Sequence, residues 1–406
     1  MAISSPTRIL FLCHSASLNG ATILLLHFIQ WLKTQVDWEI EVLVNGRGPL
    51  LDEFKSVCKT TIWRSPTSLL NVFPQDWKIS LQPHLKTLEA LYMKALLAGR
   101  RYDLIYANTG ATWQQVSTLS KYAPALLWHI HELEYGLRLS IGEDRINHVF
   151  KDITKFVAVS NSVRDTLSLE FSVPYDKIDL IHGFVPLPDL TAEEHQSRRQ
   201  QVRIKLGWPQ DTFVVGGCGS LGWRKGTDLF LQIAHIVSRT NSYEKVRFLW
   251  VGGGNQDKES LEFDHDVRVL GLQEHCRRII TTEEISDYYC SMDMFALTSR
   301  EDPFPLVMLE AGTYNVPTVC FADSGGGPEF IGDDSGLIAP YLDIITFAAH
   351  IMRLHNEPDL RAQFGKSALE KVRTHYTVEC QGPKLLHSIE CCLAGIKETT
   401  PYGLKH

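Results

Sequence analysis

The chain has 406 residues, too many for one ordinary hydrophobic core and suited to two domains of roughly 200 residues each. Its 40 basic and 47 acidic residues leave a net charge of −7, which excludes a global attraction to nucleic acid or to an anionic membrane and makes any anion site a local one. Nine cysteines without a C-x-x-C pair read as reduced core thiols of a cytosolic protein, and no apolar stretch approaches the roughly 20 residues of a membrane span.

Short runs of aliphatic and β-branched residues at 8–13, 39–44, 104–107, 126–130, 156–159 and 178–182 predict buried parallel strands. Between them, 23–33, 85–98 and 163–171 carry apolar residues at helical spacing, which gives βαβ units and a doubly wound sheet. The stretch from Val185-Pro-Leu-Pro-Asp through Glu193, Glu194, Arg198, Arg199 and Arg203 has no strand signal and is expected to link two domains. The second half repeats the plan, with strands at 213–216, 246–251, 267–270, 294–297, 317–321 and 337–339. The expected organisation is a Rossmann-like domain at 1–185, a linker at 186–210 and a second Rossmann-like domain at 211–384, with a last helix, about 385–406, packing back on the first domain. Open α/β sheets bind ligands beyond the carboxyl ends of their strands, so functional residues should follow strands, and two opposed domains would share one cleft.

Three motifs sit after strands of the second half. Phe213-Val-Val-Gly-Gly-Cys-Gly-Ser-Leu-Gly-Trp-Arg-Lys-Gly is a strand, a glycine loop and two adjacent cations before a helix. Glycines such as Gly219 let the backbone approach a ligand, the helix offers unpaired N–H groups, and Arg224 and Lys225 add two charges suited to a diphosphate. An ordinary strand-to-helix turn with surface cations would carry the same residues. Gly217-x-Gly219-x-x-Gly222 also fits a dinucleotide fingerprint, but the next strand runs into Gly252-Gly253-Gly254 rather than the acidic residue such a site wants.

Ser299-Arg-Glu-Asp-Pro-Phe-Pro-Leu-Val-Met-Leu-Glu follows the strand at 294–297, and Pro305 fits the first position of a helix. Glu310 then falls on the Leu306 and Leu309 side of that helix, among apolar neighbours, where a sugar or ribose hydroxyl pair, or a partner cation, would account for a carboxylate. The third motif, Gly325-Gly-Gly-Pro-Glu, puts Glu329 in the first turn of a helix, which the helix dipole favours with no ligand at all.

In this order the motifs resemble the retaining glycosyltransferases of family 4, which have the GT-B fold: two Rossmann-like domains facing across a cleft. The likeness extends over Asn19-Gly20-Ala21, Phe156-Val-Ala-Val-Ser-Asn-Ser, Ile181-His-Gly-Phe, Lys225-Gly226, the carboxylate motif and the last glycine loop. The resemblance implies transfer of a sugar from a nucleoside diphosphate sugar, with a UDP-sugar favoured, to a hydroxyl acceptor such as a glycan or lipid-linked glycan. The nucleotide sugar is a substrate, so no cofactor is implied, and neither a metal nor nucleic acid is expected. A cytoplasmic location follows, with peripheral contact at the inner face of a membrane left open, as is the oligomeric state.

The resemblance also implies roles. Lys225 matches the lysine that contacts the donor diphosphate, and Glu310 matches the second glutamate of the E-x7-E motif, which binds the ribose. The first glutamate aligns with Asp302; Glu301, one place earlier, is longer, but the spacing favours Asp302 for contact with the sugar. Pro303-Phe304-Pro305 replaces the usual Gly-Phe-Gly, so Phe304, Leu306 and Val307 keep their backbone donors. Ser220 stands where the family has an arginine, and Arg224 is the natural substitute. In the first domain, strand alternation groups Leu127, His129 and His131 on one face. His131, nearest the strand end, matches the family histidine near the donor sugar, whereas His129 reads as a core residue. Glu132 either joins His131 or caps a turn, and Asn19 and Gly20 form a loop that would approach the donor phosphate or the acceptor. Segments 63–77 and 133–147 are the least regular and are expected to supply acceptor loops. Two rival readings are a catalytically silent GT-B binding or assembly protein, raised by Ser220, Asp302 and the two prolines, and an NAD-dependent oxidoreductase, raised only by the Gly217 fingerprint.

Overall fold

The computed structural model describes residues 6–63, 100–240 and 243–399. These divide into two compact units. The first holds the described residues up to Val159, Val163–Ile181 and those from Gly382 onward; the second holds Ser160–Ser162 and His182–Gln381.

The first unit is built on β1 (Arg8–Cys13), β2 (Glu39–Val44), β3 (Lys59–Ile62), β4 (Leu104–Asn108), β5 (Leu126–Ile130), β6 (Lys155–Ala158) and β7 (Ile178–Leu180). They form one parallel sheet in the order β3-β2-β1-β4-β5-β6-β7. The helix Gly20–Gln35 starts at Asn19, whose Oδ1 accepts from the Thr22 N–H at 3.0 Å and so satisfies one orphan donor of the first turn. Its buried face brings Phe28 against Phe11 of β1 and Tyr106 of β4, with ring centroids 6.3 and 6.0 Å away. The helix expected at 85–98 lies outside the described residues. The one expected at 163–171 is a short α-helix, Asn161–Asp165, followed by the π-turn Thr166–Glu170. The stretch 133–147, read as irregular, is instead helical, as Glu134–Ile141 and Glu143–Phe150.

The second unit repeats the plan with β8 (Phe213–Cys218), β9 (Val246–Val251), β10 (Cys276–Ile279), β11 (Met294–Leu297), β12 (Thr318–Phe321) and β13 (Gly336–Ala339), all parallel in the order β10-β9-β8-β11-β12-β13. In each sheet the winding reverses beside the first strand, between β1 and β4 and between β8 and β11, and such switch points open a crevice at the carboxyl ends. The core between sheet and helices is aromatic, with Phe230 of the helix Thr227–Val237 against Phe248 and Trp250 of β9 at 5.5 and 5.1 Å. The strand expected at 267–270 is not one. Those residues end or follow the helix Lys258–Val269, begun by an Asp257 cap, and Val267 and Leu270 pack on the core from it. The sheet takes β10 instead, an edge strand whose Arg277 and Arg278 break the apolar run.

The polar stretch after Pro188 is helical over Ala192–Lys205, closed at its start by a reciprocal capping box between Thr191 and Glu194. Two of its arginines hold the foot of β11: Arg203, fully buried, reaches Asp293 at 2.8 Å, and Arg199 reaches the same carboxylate at 2.6 Å. Thr191→Ala should cost about 1 kcal/mol of stability by removing the cap, measured as a shift of the urea midpoint; an unchanged midpoint would mean that the arginine clamp alone fixes this helix. Among the described residues no helix is long and apolar enough to cross a membrane. All nine cysteines are free thiols, and six of them are buried.

Candidate donor-binding site

In the second unit the loops after three neighbouring strands are laced together by their own backbones. The loop after β8 meets that after β11 where Arg300 N–H donates to the Arg224 carbonyl at 2.9 Å and Thr298 Oγ1 donates to the Lys225 carbonyl at 3.1 Å. Gly226 makes this possible: its φ is 64°, and a Cβ there would run into the Thr298 carbonyl. The loop after β12 joins from the other side, with Asp302 N–H donating to the Ser324 carbonyl at 2.7 Å and Gly326 N–H to the Asp302 carbonyl at 3.1 Å. Asp302 is thereby fixed at both backbone polar groups.

Its side chain is 6% exposed and lies between the two cations. Lys225 Nζ donates to Asp302 Oδ2 at 2.5 Å, Ser299 Oγ donates to the same oxygen at 3.1 Å, and Arg224 stands 3.7 Å from Oδ1. Burial raises the Asp302 carboxyl, but Lys225 and then Arg224 outweigh it and hold the group below the usual aspartate range. Glu301 is different: its backbone carbonyl accepts from Arg224 at 3.0 Å, and its side chain is more exposed than that of Asp302. Gly219, with φ 137°, passes directly over the Lys225 stem, while Ser220 is exposed. Phe304 is buried, its ring 5.0 Å from that of His182.

Pro305 stands as the cap of the helix Leu306–Thr313, one place earlier than expected, so Leu306 and Val307 lead the helix with N–H groups that have no partner inside it. Glu310, in the same helix, has no cation pair among the described residues. The Tyr289 hydroxyl donates to its Oε2 at 2.7 Å, and burial pushes its carboxyl above the usual glutamate range, against the pull of Tyr289 and Lys225.

The first unit gathers polar groups at its own switch point. His131, just past β5, faces Asn108 at the end of β4, with Nε2 and Oδ1 2.9 Å apart. Asn108 Nδ2 donates to the Ala21 carbonyl at 3.0 Å, which turns Oδ1 toward the histidine and puts the ring proton on Nε2. Nδ1 of His131 is then an acceptor, and the ring is neutral, because burial and then His14 lower its pKa to about 3. His129 lies behind it, 1% exposed and bonded to the Tyr106 hydroxyl at 2.6 Å. Glu132 accepts from the Gly110 and His131 N–H groups at 2.8 and 3.0 Å, so it fixes the turn. Gly20 is exposed in the first turn of its helix, next to the Asn19 cap.

Two residues, His14 and Tyr289, carry no local sequence signal, and a third, Glu329, has contacts its motif does not reveal. His14, after β1, has a buried Nδ1 with no hydrogen-bond partner among the described residues and a pKa lowered by burial. Tyr289 lies in the helix before β11, 21 residues from the carboxylate it caps. Glu329 binds Asn161 Nδ2 at 3.0 Å, the Ser162 N–H at 3.3 Å and His182 Nε2 at 3.1 Å, contacts that span more than 140 positions and that a helix-dipole reading of Glu329 does not contain.

Two family models match this chain: glycosyl transferases group 1 over residues 198–371 and glycosyltransferase family 4 over residues 18–187. The amylovoran biosynthesis glycosyltransferase AmsD of Erwinia amylovora is 30% identical over 168 residues, 41% of this chain and 44% of that one. A D-inositol 3-phosphate glycosyltransferase of Corynebacterium kroppenstedtii is 26% identical over 223 residues, 53% of this chain and 49% of its own. The chain thus spans about half the length of these curated relatives. Anabaena HepE, solved in complex with UDP and with UDP-glucose, superposes with TM-scores of 0.74 and 0.73 at 17% and 18% identity, over 95% of this chain and 100% and 99% of HepE. That likeness shows the GT-B fold. With the two models occupying separate halves, the chain belongs to the group 1, family 4 glycosyltransferases.

Proposed function

We propose that the protein is a retaining glycosyltransferase that moves a sugar from a nucleoside diphosphate sugar, with uridine favoured as the base, to a hydroxyl of a glycan or lipid-linked glycan. The observation that carries this reading is the Lys225, Arg224 and Asp302 group in the loops after β8 and β11, with Asp302 four residues before the helix that carries Glu310. Transfer leaves growing negative charge on the departing diphosphate, and Lys225, Arg224 and the leading N–H groups of Leu306 and Val307 supply the opposite charge from fixed positions. Asp302 is the acid assigned to the donor sugar and Glu310 the one assigned to the ribose. His131 suits a sugar hydroxyl, which would donate to its bare Nδ1. The departing phosphate takes the acceptor's proton. The UDP and UDP-glucose bound by HepE support a uridine donor, and AmsD, named for amylovoran biosynthesis, supports a glycan product. A cytoplasmic setting, with peripheral contact at the inner face of a membrane, belongs to the same reading.

Calorimetry on the full chain with UDP, GDP, ADP and dTDP tests it, and UDP should bind most tightly. Absence of heat with all four would sink the donor assignment. Since two side-chain cations do the work of charge neutralisation, transfer should persist in EDTA; its loss, with recovery on adding magnesium or manganese, would overturn the metal-free mechanism.

A further inference from the structure

Glu310 is an under-solvated carboxylate with one oxygen engaged. Its Oε2 accepts from Tyr289, and Oε1 has no hydrogen-bond partner among the described residues. Tyr289 itself cannot wander: it is 1% exposed and its ring stacks on Tyr314 at 5.7 Å and 22°. A phenol has one proton to give, and here it goes to Oε2. The carboxylate is therefore held in one orientation, with Oε2 engaged by the tyrosine and Oε1 left to accept.

We propose that Tyr289 is a positioning residue for nucleotide recognition: by holding Oε2 of Glu310 it aims Oε1 at the ribose hydroxyls, so that the tyrosine and glutamate together select a ribonucleoside diphosphate over its deoxy counterpart. This rests on the reading of Glu310 as the ribose acid. Tyr289 touches no ligand in this arrangement. It acts by removing the alternative rotamers of the carboxylate, which an unclamped glutamate would have to give up on binding. The burial that raises the Glu310 carboxyl works in the same direction, because a carboxylate short of partners gains most from a hydroxyl pair.

The test is calorimetry on the full-length protein with UDP and with 2′,3′-dideoxy-UDP, for wild type, Tyr289→Phe, Glu310→Gln and the double variant. Phenylalanine keeps the ring and its stacking on Tyr314, so the fold is retained, and melting temperatures check that. The wild type should prefer UDP, and Y289F should lose roughly tenfold of that preference with dideoxy-UDP binding unchanged. In the E310Q background Y289F should add nothing. A Y289F protein that discriminates as well as wild type, while E310Q does not, would overturn the role of Tyr289 and leave Glu310 in place. Equal preference in wild type and E310Q would remove both the ribose reading and the inference built on it. A uniform loss for both ligands in Y289F would assign the tyrosine to packing and overturn the proposal.

Discussion

Lys225→Ala should lower the transfer rate by two to three orders of magnitude, the loss of about 3–4 kcal/mol that follows removal of a group stabilising developing charge. Its melting temperature should fall less, because Asp302, left without its close cation, still has Ser299 and Arg224 and can take up a proton rather than stay charged. Arg224→Ala should act to a similar degree if the guanidinium stands in for the arginine absent at Ser220; near-normal activity would confine Arg224 to lacing the loops through the Glu301 carbonyl. The same site ranks its two adjacent acids. Asp302 is pinned at its N–H and carbonyl and lies buried against Lys225, whereas Arg224 donates to the Glu301 backbone carbonyl and the Glu301 residue is more exposed. Asp302→Asn should therefore cut the rate about a hundredfold, on the order of 3 kcal/mol, and Glu301→Gln should cost much less. Steady-state kinetics with the reverse ranking at unchanged melting temperatures would move the sugar contact to Glu301 and shift the motif register by one.

The sequence made the inner strands legible, and the apolar edge strands β7 and β13 with them, but not the polar edges β3 and β10. β1, β2, β5, β9 and β11 are paired on both sides, so their runs are mostly apolar and their bounds can be read directly. β3 (Lys-Thr-Thr-Ile) and β10 (Cys-Arg-Arg-Ile) sit at sheet edges, where polar side chains reach solvent and the hydrophobic run disappears. The run at 267–270 misled for the complementary reason: two or three apolar residues at a helix end look like a strand when period alone is considered. The site divides along the same line. Lys225, Asp302 and Glu310 follow strands within short motifs, so local order reveals them. The partners that set their chemistry are remote in sequence, Tyr289 for Glu310 and His182 and Asn161 for Glu329, and only the fold supplies those pairings. The direct ion pair between Lys225 and Asp302 belongs to the second class, since each had been assigned a different part of the donor and neither assignment implies contact between them.

The unfolding free energy should fall as pH drops from about 6.5 toward 5, a window set by histidines and not by carboxylates. His131, His129 and His14 form a packed group at the strand ends of the first unit, with the rings of His129 and His131 4.2 Å apart. Burial holds all three below the ordinary value of 6.5, His131 to about 3, with His131 also disfavouring a proton on His129 and His14 one on His131. Tyr106, Asn108 and Asn19, which face these rings, bring no charge, and the adjacent acid, Glu132, accepts from the Gly110 and His131 N–H groups. Above pH 6.5 the histidines are neutral whether the chain is folded or unfolded, so their contribution is fully present. Below it the unfolded chain binds protons that the folded state refuses, and stability falls with pH by about 1.4 kcal/mol per pH unit for each such histidine. His27, His195, His275, His350 and His355 are displaced the same way and add to the slope. Glu310 opposes it, because its raised carboxyl gains a proton more readily when folded, and Asp302, held low, loses its contribution only at more acid pH. Urea unfolding at pH 7.5, 6.5 and 5.5 should give a steadily falling free energy, with His131→Gln shallower than wild type by about 1.4 kcal/mol per pH unit below 6.5. A variant slope identical to wild type would mean that the His131 ring takes up its proton in the folded state, and the neutral Nδ1 acceptor assigned to the donor sugar would go with it.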